Sequence, residues 1–414
     1  MQAKQYYRAF RESLVQYDQL NLWNQVFIAI KKDSEQYMED NNLTYDVAKS
    51  KVNADKNRYL DVAPFDQCRI RLTPTDTNAD GYINASPVVI AEAKRNYILC
   101  QGPLESTSGD FWQMVWEKNV PLIVMLNRLI ENHSWKCNDY YPMKGKDYQT
   151  YGNWKVRLIE EVDKKSFYHR NIELTNLSTN ETREVHQIQY IEWPDFGVPG
   201  STNCFLEMMN YCIGLNMMPQ KVDDAPVIVH CSAGIGRSGS FVFIDSILKM
   251  CELEVPLEGR IEEHVLRMRR SRFGLIQTPL QLRFAWAAII NAMEIKYNLS
   301  PDSLDDITTA KDGDNEPSGS NEKRDQQPKR GTTGGKEDVP EQKDVSNNQK
   351  SVVEEVEAMQ KRREMIDRIV EKCRAAEKNN QNGANYWKIS LSVGTIAMIA
   401  GGFAYFLSNQ RSNL

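Results

Sequence analysis

The sequence predicts an α/β domain, a sheet flanked by helices, from two kinds of segment that alternate along the chain. The run 227–229, Val-Ile-Val after Pro226, has the length and β-branched content of a buried strand. From Ser238 on, SGSFVFIDSILKM carries apolar residues at helical spacing. Alternation of such strand and helix patterns is typical of α/β proteins.

Length and composition allow one large globular domain with additional segments, or two domains, in 414 residues. Residues 1–298 contain most of the tryptophan, tyrosine and phenylalanine, so we assign the globular domain to 1–298. The formal net charge of -5, without a long basic block, argues against nucleic acid as the main partner.

The stretch VIVHCSAGIGRSGSFVF places Cys231 on the loop between the predicted strand and the predicted helix. Three glycines, Gly234, Gly236 and Gly239, let the backbone turn tightly and direct its N–H groups inward at a helix N-terminus. Such a loop forms an anion cradle of a size that fits a phosphate group.

Cys231 in that cradle would feel the helix dipole, the inward amides and the guanidinium of Arg237, all of which favour the thiolate. The planar fork of Arg237 can bind two phosphate oxygens at once. The alternative is that Cys231 is an inert core cysteine, since a bare Cys-x5-Arg pattern also occurs by chance. His230 before the cysteine, the glycines and Ser238 favour a catalytic nucleophile.

The segment HCSAGIGRSG resembles the signature of the classical protein tyrosine phosphatases, and the resemblance extends over roughly residues 10–297. Further motifs resemble the non-receptor subgroup that contains protein tyrosine phosphatase 1B and the T-cell phosphatase: DGYINAS at 80–86, YILCQGP at 97–103, FWQMVWE at 111–117 and VMLNRLIENHSWKC at 124–137. The resemblance implies a highly twisted mixed β-sheet flanked by α-helices, with the cysteine loop at the carboxyl end of a strand. It also implies a phosphocysteine mechanism without metal or cofactor.

The segment YIEWPDFGVPG supplies a proton donor on a loop able to close over the substrate. Asp195 is the only carboxylate of the loop proper, Trp193 is its anchor, and Gly197 permits the turn. Asp195 would protonate the leaving tyrosyl oxygen and then take a proton from water. Read alone, an Asp in a turn is more often a partner of its own backbone.

The resemblance implies roles for further residues. Gln277 would position the attacking water, Gln281 would support it, and Ser238 would stabilise the departing thiolate. Glu131 would hold Arg237, His230 would lie behind the cysteine, and Lys136 would line the cleft and contact the acid loop. The remaining substrate contacts implied are those of the cradle and its walls: Ser232, Ala233, Gly234, Ile235, Gly236, Phe196, the ring of Tyr59 and the carboxylate of Asp61. The segment KNRYLDV, which dual-specificity phosphatases lack, favours phosphotyrosine.

Lys31, Arg270 and Gly274 match a second phosphotyrosine pocket of the same subgroup. Lys31 stands where arginine is usual, and Leu60 stands where the 1B enzyme has a basic residue. We therefore expect a weaker grip on a second phosphate and less preference for acidic residues beside the substrate tyrosine.

The eight cysteines are scattered without CxxC pairs or metal-ligand spacing, and the N-terminus carries no secretory signal. These features predict reduced cysteines in the cytosol, which suits a catalytic thiolate.

Beyond the globular domain, 299–350 reads as a disordered polar linker, because no aromatic residue occurs between 298 and 385. We interpret it as a spacer rather than a docking tail, because it contains no PxxP motif for an SH3 domain. Residues 351–378 fit an amphipathic helix or a short, weakly self-associating coiled coil, with Arg363 interrupting the apolar seam. Residues 389–407, without a charge, are long enough to span a bilayer as a helix, with four basic residues upstream against one downstream. We expect a tail anchor in the endoplasmic reticulum membrane with the globular domain in the cytosol; a peripheral or cleaved tail is the alternative.

The sequence thus predicts a membrane-anchored protein tyrosine phosphatase that regulates tyrosine-kinase signalling. By resemblance its partners would be tyrosine-phosphorylated receptor and Janus-type kinases and adaptors. Two alternatives stand beside it: a phosphoinositide phosphatase, disfavoured because SAGIG contains no lysine, and a phosphotyrosine-binding scaffold without activity.

Overall fold

The computed structural model describes residues 2–143, 145–195 and 197–300. Contacts divide the chain into two units, Met1–Asp312 and Gly313–Leu414, and everything described below lies in the first. The predicted linker beyond residue 300, the helix predicted over 351–378 and the membrane segment predicted over 389–407 lie outside the described residues.

Eight α-helices occur in the described part of the chain. They are α1 (Gln2–Gln19), α2 (Trp23–Asp40), α3 (Asp46–Lys49), α4 (Ser108–Glu117), α5 (Thr202–Gly214), α6 (Gly236–Glu252), α7 (Glu262–Arg269) and α8 (Pro279–Tyr297). Three short 3₁₀ turns cover Ala54–Lys56, Ala91–Ala93 and Glu105–Thr107.

Ten β-strands accompany them in the same described ranges. They are β1 (Ala85–Ile90), β2 (Arg95–Cys100), β3 (Leu122–Met125), β4 (Ile130–Glu131), β5 (Ser134–Trp135), β6 (Tyr148–Tyr151), β7 (Trp154–Asp163), β8 (Phe167–Asn176), β9 (Glu181–Tyr190) and β10 (Val227–His230).

Eight of these strands form one mixed sheet in the order β1-β2-β10-β3-β9-β8-β7-β6, and β4 pairs with β5 in a separate hairpin. The central strands β2, β10, β3 and β9 run parallel, while the strands on either side pair antiparallel. This arrangement confirms the predicted mixed α/β class.

Strand β10 lies at the centre of the sheet and is buried on both faces. Val227 and Val229 face the larger apolar core, which includes residues of α1, α5, α6 and α8, whereas Ile228 faces the second core beneath α4. A strand covered on both faces must be apolar throughout, which accounts for the uninterrupted Val-Ile-Val run. The next residue, Cys231, therefore emerges at the carboxyl edge of a rigid sheet.

Helix α8 brings the glutamine segment to the same edge, and its start follows from its sequence. Thr278 caps the helix, its hydroxyl accepting a hydrogen bond from the Gln281 amide at 3.1 Å, and Pro279 occupies the first turn. Nine residues of α8 are buried, so the helix is packed against the core and fixes where the loop before Thr278 ends.

Across the described ranges, no helix is both long enough and apolar enough to cross a membrane.

Candidate active site

The cysteine loop joins β10 to α6, as the sequence predicted from the strand and helix patterns around it. Cys231 is 4 % exposed, and α6 begins five residues later at Gly236. Within α6, fourteen of the seventeen residues are buried, so its N-terminus is a fixed support for the loop. The free N–H groups of that terminus point towards the loop and favour an anion there.

Gly234 allows the loop to turn away from the neighbouring strand. Its φ is +72°, and a Cβ at this position would lie 2.0 Å from the carbonyl oxygen of Cys100 at the end of β2. Any larger residue would have to push the loop out of the cradle conformation. The glycine is therefore required by both the backbone angle and the close approach.

Arg272 holds the outer side of the same loop, a role that sequence reasoning missed. Its guanidinium is fully buried and donates to the carbonyl oxygens of Gly234 at 2.9 Å and Ala233 at 3.0 Å. A further bond to Asn84 Oδ1 at 2.8 Å anchors it to the sheet side. Because Arg272 binds these carbonyls on the outer side of the loop, the loop can turn its amides inward. Burial lowers the pKa of Arg272.

Arg237 lies in the first turn of α6 and forms a bidentate ion pair with Glu131. The two hydrogen bonds join Nη1 to Oε1 at 2.7 Å and Nη2 to Oε2 at 2.8 Å. Burial opposes the charge of Arg237, but the bonds to Glu131 outweigh it and raise the pKa. Arg237 also interacts electrostatically with Cys231, which places its positive charge at the cradle.

The acid loop lies against the cysteine loop. Arg237 Nη2 donates to the carbonyl oxygen of Pro194 at 3.1 Å and lies 4.0 Å from Asp195 Oδ1. Lys136 Nζ lies 2.8 Å from the same Oδ1, and Asn132 Nδ2 donates to Oδ2 at 3.0 Å. The predicted proton donor is therefore brought to the cysteine loop, together with the predicted contact from Lys136. Phe196 lies outside the described residues.

His230 is fully buried behind the cysteine, where its ring takes one tautomer. Nδ1 donates to the carbonyl oxygen of Cys231 at 3.3 Å, so Nε2 is left to accept from the Tyr140 hydroxyl at 2.8 Å. Gln187 in turn donates to that hydroxyl. Burial lowers the pKa of His230 to about 4, so the imidazole is neutral at physiological pH and acts through its hydrogen bonds.

Ser238 and the two glutamines lie around the loop. The Ser238 hydroxyl is buried without a hydrogen-bond partner among the described residues, which leaves it available for a thiolate. Gln281 Oε1 accepts from the Gln277 amide at 2.8 Å, and a Cβ placed on Gly236 would lie 2.9 Å from that same oxygen. Gln277 itself is exposed on the open side. Of the predicted cradle residues, Gly234, Ile235 and Gly236 are buried, and Ser232 and Ala233 are half-buried.

The residue before Gln277 is held in a strained backbone conformation. Ile276 has φ +61°, a region that β-branched residues seldom adopt. Its N–H donates to the Ile235 carbonyl at 3.0 Å, and its own carbonyl accepts from Arg269 Nη2 at 2.9 Å. These bonds hold the strained turn and fix where the Gln277 side chain begins, a pattern common at functional sites.

A hydrogen bond joins the Tyr59 side chain to Ser232 on the cysteine loop. The Tyr59 hydroxyl lies 2.8 Å from Ser232 Oγ, and that oxygen donates to the Lys136 carbonyl at 2.8 Å. Tyr59 is half-buried, whereas Asp61 two residues later is exposed and free to meet a peptide. Arg58 fixes this segment through bonds to the Gly102 and Pro103 carbonyls at 3.0 and 2.7 Å.

The three residues of the predicted second pocket occupy α2 and the segment after α7, and α2 packs against α7. Lys31 is exposed and lies 3.7 Å from Glu35 on the next turn. The guanidinium of Arg270 lies over the Tyr37 ring at 4.9 Å. Gly274 has φ +77° and leaves open space except for the Ile235 methyl at 3.4 Å.

Cys231, the guanidinium of Arg237 and the carboxyl group of Asp195 thus lie around one loop at the start of α6, an arrangement typical of cysteine-dependent phosphate-ester hydrolases. Comparison with known proteins agrees with that class. The profile of the protein-tyrosine phosphatase family matches residues 53–291, and the chain belongs to this family.

Individual relatives lie within the same family. Tyrosine-protein phosphatase non-receptor type 2 of Mus musculus is 41 % identical over 271 residues, 65 % of this chain and 63 % of the relative. Tyrosine-protein phosphatase non-receptor type 61F of Drosophila melanogaster is 36 % identical over 276 residues, 66 % of this chain and 49 % of the relative. Receptor-type tyrosine-protein phosphatase F of Rattus norvegicus is 37 % identical over 250 residues, 60 % of this chain and 13 % of the relative. The match thus spans less than two thirds of these relatives.

Proposed function

We propose that the chain hydrolyses phosphotyrosine in proteins through a phosphocysteine intermediate. One observation carries the proposal: Cys231 begins a loop whose outward carbonyls are held by Arg272, while Arg237 and Asp195 lie against the same loop. This arrangement combines nucleophile, phosphate-binding charge and proton donor in one site. Membership of the protein-tyrosine phosphatase family supports it.

In the first step the Cys231 sulfur attacks phosphorus, the bond between phosphorus and the tyrosyl oxygen breaks, and Asp195 gives its proton to that oxygen. In the second step water attacks phosphorus, Asp195 takes the proton, and the phosphorus–sulfur bond breaks. Arg237 balances the charge on the phosphoryl oxygens in both steps. Gln277, exposed beside the loop, holds the water, and the unpartnered Ser238 hydroxyl stabilises the returning thiolate.

Selection of phosphotyrosine over phosphoserine rests on the wall that Tyr59 forms. The hydrogen bond to Ser232 holds the Tyr59 hydroxyl against the cysteine loop, so this ring would form one wall of a cleft above the loop. A phosphotyrosine ring reaches the floor and stacks on Tyr59, whereas the short phosphoserine side chain does not reach. Leu60, 80 % exposed beside it, offers no charge to acidic flanking residues.

The test uses the purified full chain and one peptide sequence that carries either phosphotyrosine or phosphoserine. We expect phosphate release from the phosphotyrosine peptide alone, and none from either peptide with Cys231→Ser. A chain that binds the phosphotyrosine peptide without releasing phosphate would refute the proposal and favour the scaffold alternative. Release from phosphoinositide vesicles but not from peptides would favour the lipid phosphatase alternative.

A second phosphotyrosine beside the first would bind at Lys31 and Arg270. Both are cations, but Lys31 is exposed and already near Glu35, so the gain is modest. The comparison is between singly and doubly phosphorylated peptides of the same sequence, with wild type and Arg270→Ala. Equal kcat/KM values for the two peptides would refute this second site.

We further propose that residues 389–407 anchor the chain in the endoplasmic reticulum membrane, with the phosphatase domain facing the cytosol. The support is the uncharged nineteen-residue segment and the basic residues before it. Membrane fractionation of the full chain and of one lacking 389–407 tests it: we expect only the full chain to resist carbonate extraction.

Self-association through 351–378 is proposed on the heptad pattern, and cross-linking with and without that segment tests it.

Activated receptor and Janus-type kinases and their adaptors are the substrates proposed by resemblance. An Asp195→Ala chain should retain them, because it forms the first complex but lacks the proton donor. The phosphotyrosine proteins that Asp195→Ala captures are compared with those that Cys231→Ser captures as a second trap. Absence of these kinases and adaptors from the proteins captured by Asp195→Ala would refute this assignment.

A further inference from the structure

The short hairpin β4–β5 brings three side chains to the active site: Glu131, Asn132 and Lys136. Glu131 at the end of β4 binds Arg237, and Lys136 directly after β5 binds Asp195. Between the strands lie only Asn132 and His133, with φ of 45° and 61°. Two consecutive left-handed residues define a tight primed turn, in which asparagine is a preferred residue.

The turn points the Asn132 carboxamide at the proton donor. Asn132 Nδ2 donates to Asp195 Oδ2 at 3.0 Å, whereas Lys136 Nζ contacts the other oxygen, Oδ1, at 2.8 Å. Arg237 Nη2 also lies nearer Oδ1, at 4.0 Å. The two oxygens of the carboxyl group therefore have different surroundings, two cations on one side and a neutral amide on the other.

This asymmetry decides which oxygen carries the proton. Two positive charges at Oδ1 disfavour protonation there, so the proton of the acid form resides on Oδ2. Asn132 is the side chain in contact with that oxygen. A carboxamide is suited to it, because its NH₂ group can donate to a lone pair of Oδ2 in the carboxylate and in the acid alike, which leaves the proton on Oδ2 free for the leaving oxygen.

We propose that Asn132 is a positioning residue for the proton transfer: it holds Asp195 Oδ2 in both protonation states and aims the proton at the tyrosyl oxygen. The inference rests on the proposed function and adds a residue to it. In the first step the proton leaves Oδ2 as the bond between phosphorus and tyrosyl oxygen breaks. In the second step Oδ2 takes a proton from the attacking water.

Among the described residues, two charged groups face Asp195: Lys136 next to the hairpin and Arg237 on α6. Arg237 is paired with Glu131 and interacts electrostatically with Cys231. All of them stay in place when Asn132 is replaced. Loss of the Asn132 N–H then removes the contact that fixes Oδ2, so proton transfer to the leaving oxygen slows.

The test variant is Asn132→Gly in the full chain, since glycine keeps the left-handed turn and removes only the carboxamide. The matched control is His133→Gly, which removes the neighbouring exposed side chain at a similar φ. Each is assayed on phenyl phosphate, whose basic leaving group needs the proton, and on p-nitrophenyl phosphate, whose leaving group needs it less.

We expect Asn132→Gly to lower kcat/KM, which reports the first step alone, by about tenfold on phenyl phosphate, the worth of one hydrogen bond to a charged group, and by less than about threefold on p-nitrophenyl phosphate. His133→Gly should match wild type on both substrates.

Two results would overturn the inference: equal kcat/KM values for Asn132→Gly and wild type on both substrates, or an equal fall in kcat/KM on both substrates. A purely structural effect of the turn gives the second result. If wild type itself hydrolyses neither ester, the proposed function fails instead, so the two failures are distinguishable.

Discussion

His264 makes the folded domain sensitive to acid. It lies on α7, 6 % exposed, and its Nε2 has no hydrogen-bond partner in the described part of the chain. Burial lowers the pKa of His264 to about 4, with a further contribution from Arg267. The imidazole is thus neutral in the folded domain above about pH 4. In the unfolded chain it has its ordinary pKa of about 6.5, so below that pH unfolding is accompanied by proton uptake.

The sign and size of the effect follow from those two values. Since the unfolded chain binds more protons between about 6.5 and 4, stability falls as the pH drops through this window. At pH 5 the difference amounts to about 2 kcal/mol relative to pH 8. His230, with its pKa also lowered to about 4, adds a loss of similar size.

The perturbation is His264→Gln, which keeps a polar side chain and cannot titrate. Urea unfolding of wild type and variant at pH 8 and pH 5 gives the loss of unfolding free energy on acidification for each. We expect that loss to be smaller by about 2 kcal/mol in the variant, and unchanged in the exposed control His133→Gln. An equal acid loss in wild type and His264→Gln would refute the reasoning.

Two further substitutions test the support of the cysteine loop. Replacing Glu131 by Ala leaves the buried guanidinium of Arg237 uncompensated, so urea unfolding should show a loss of about 3–5 kcal/mol; a loss below about 1 kcal/mol would contradict the buried pair. Gly239→Ala puts a methyl group 2.5 Å from a backbone nitrogen of the loop before the glutamines and should cost about 1–3 kcal/mol and most of the activity. Gly214→Ala, where nothing lies within 4 Å, is its control and should leave both unchanged.

The cysteine loop could be predicted because its determinants are local. Cys231, the glycines and Arg237 lie within nine residues, flanked by a strand pattern and a helix pattern that meet at the loop. Asp195 was predictable for the same reason, as a single carboxylate within a recognisable loop. A short segment carries enough information when strand, turn and helix follow one another directly.

Support from distant residues could not be predicted in that way. Arg272 lies 38 residues after Gly234 and binds Asn84, 188 residues before it, and nothing in its neighbourhood distinguishes it from other arginines. Asn132 is one of many asparagines until the hairpin turns it towards Asp195. The hydrogen bond to His230 Nε2 likewise comes from Tyr140, in another segment of the chain. Such roles arise only when the sheet brings remote segments to one edge.

The most direct measurement of the central claim is an acid-quench experiment on the full chain with a ³²P-labelled phosphotyrosine peptide. It is run on wild type, on Gln277→Ala to slow the second step, and on Cys231→Ser. We predict acid-stable label on Cys231, more of it in Gln277→Ala, with tyrosine peptide released before phosphate. Cys231→Ser should show neither label nor turnover. Phosphate release by Cys231→Ser, or turnover by wild type and Gln277→Ala without label on Cys231, would contradict the phosphocysteine mechanism.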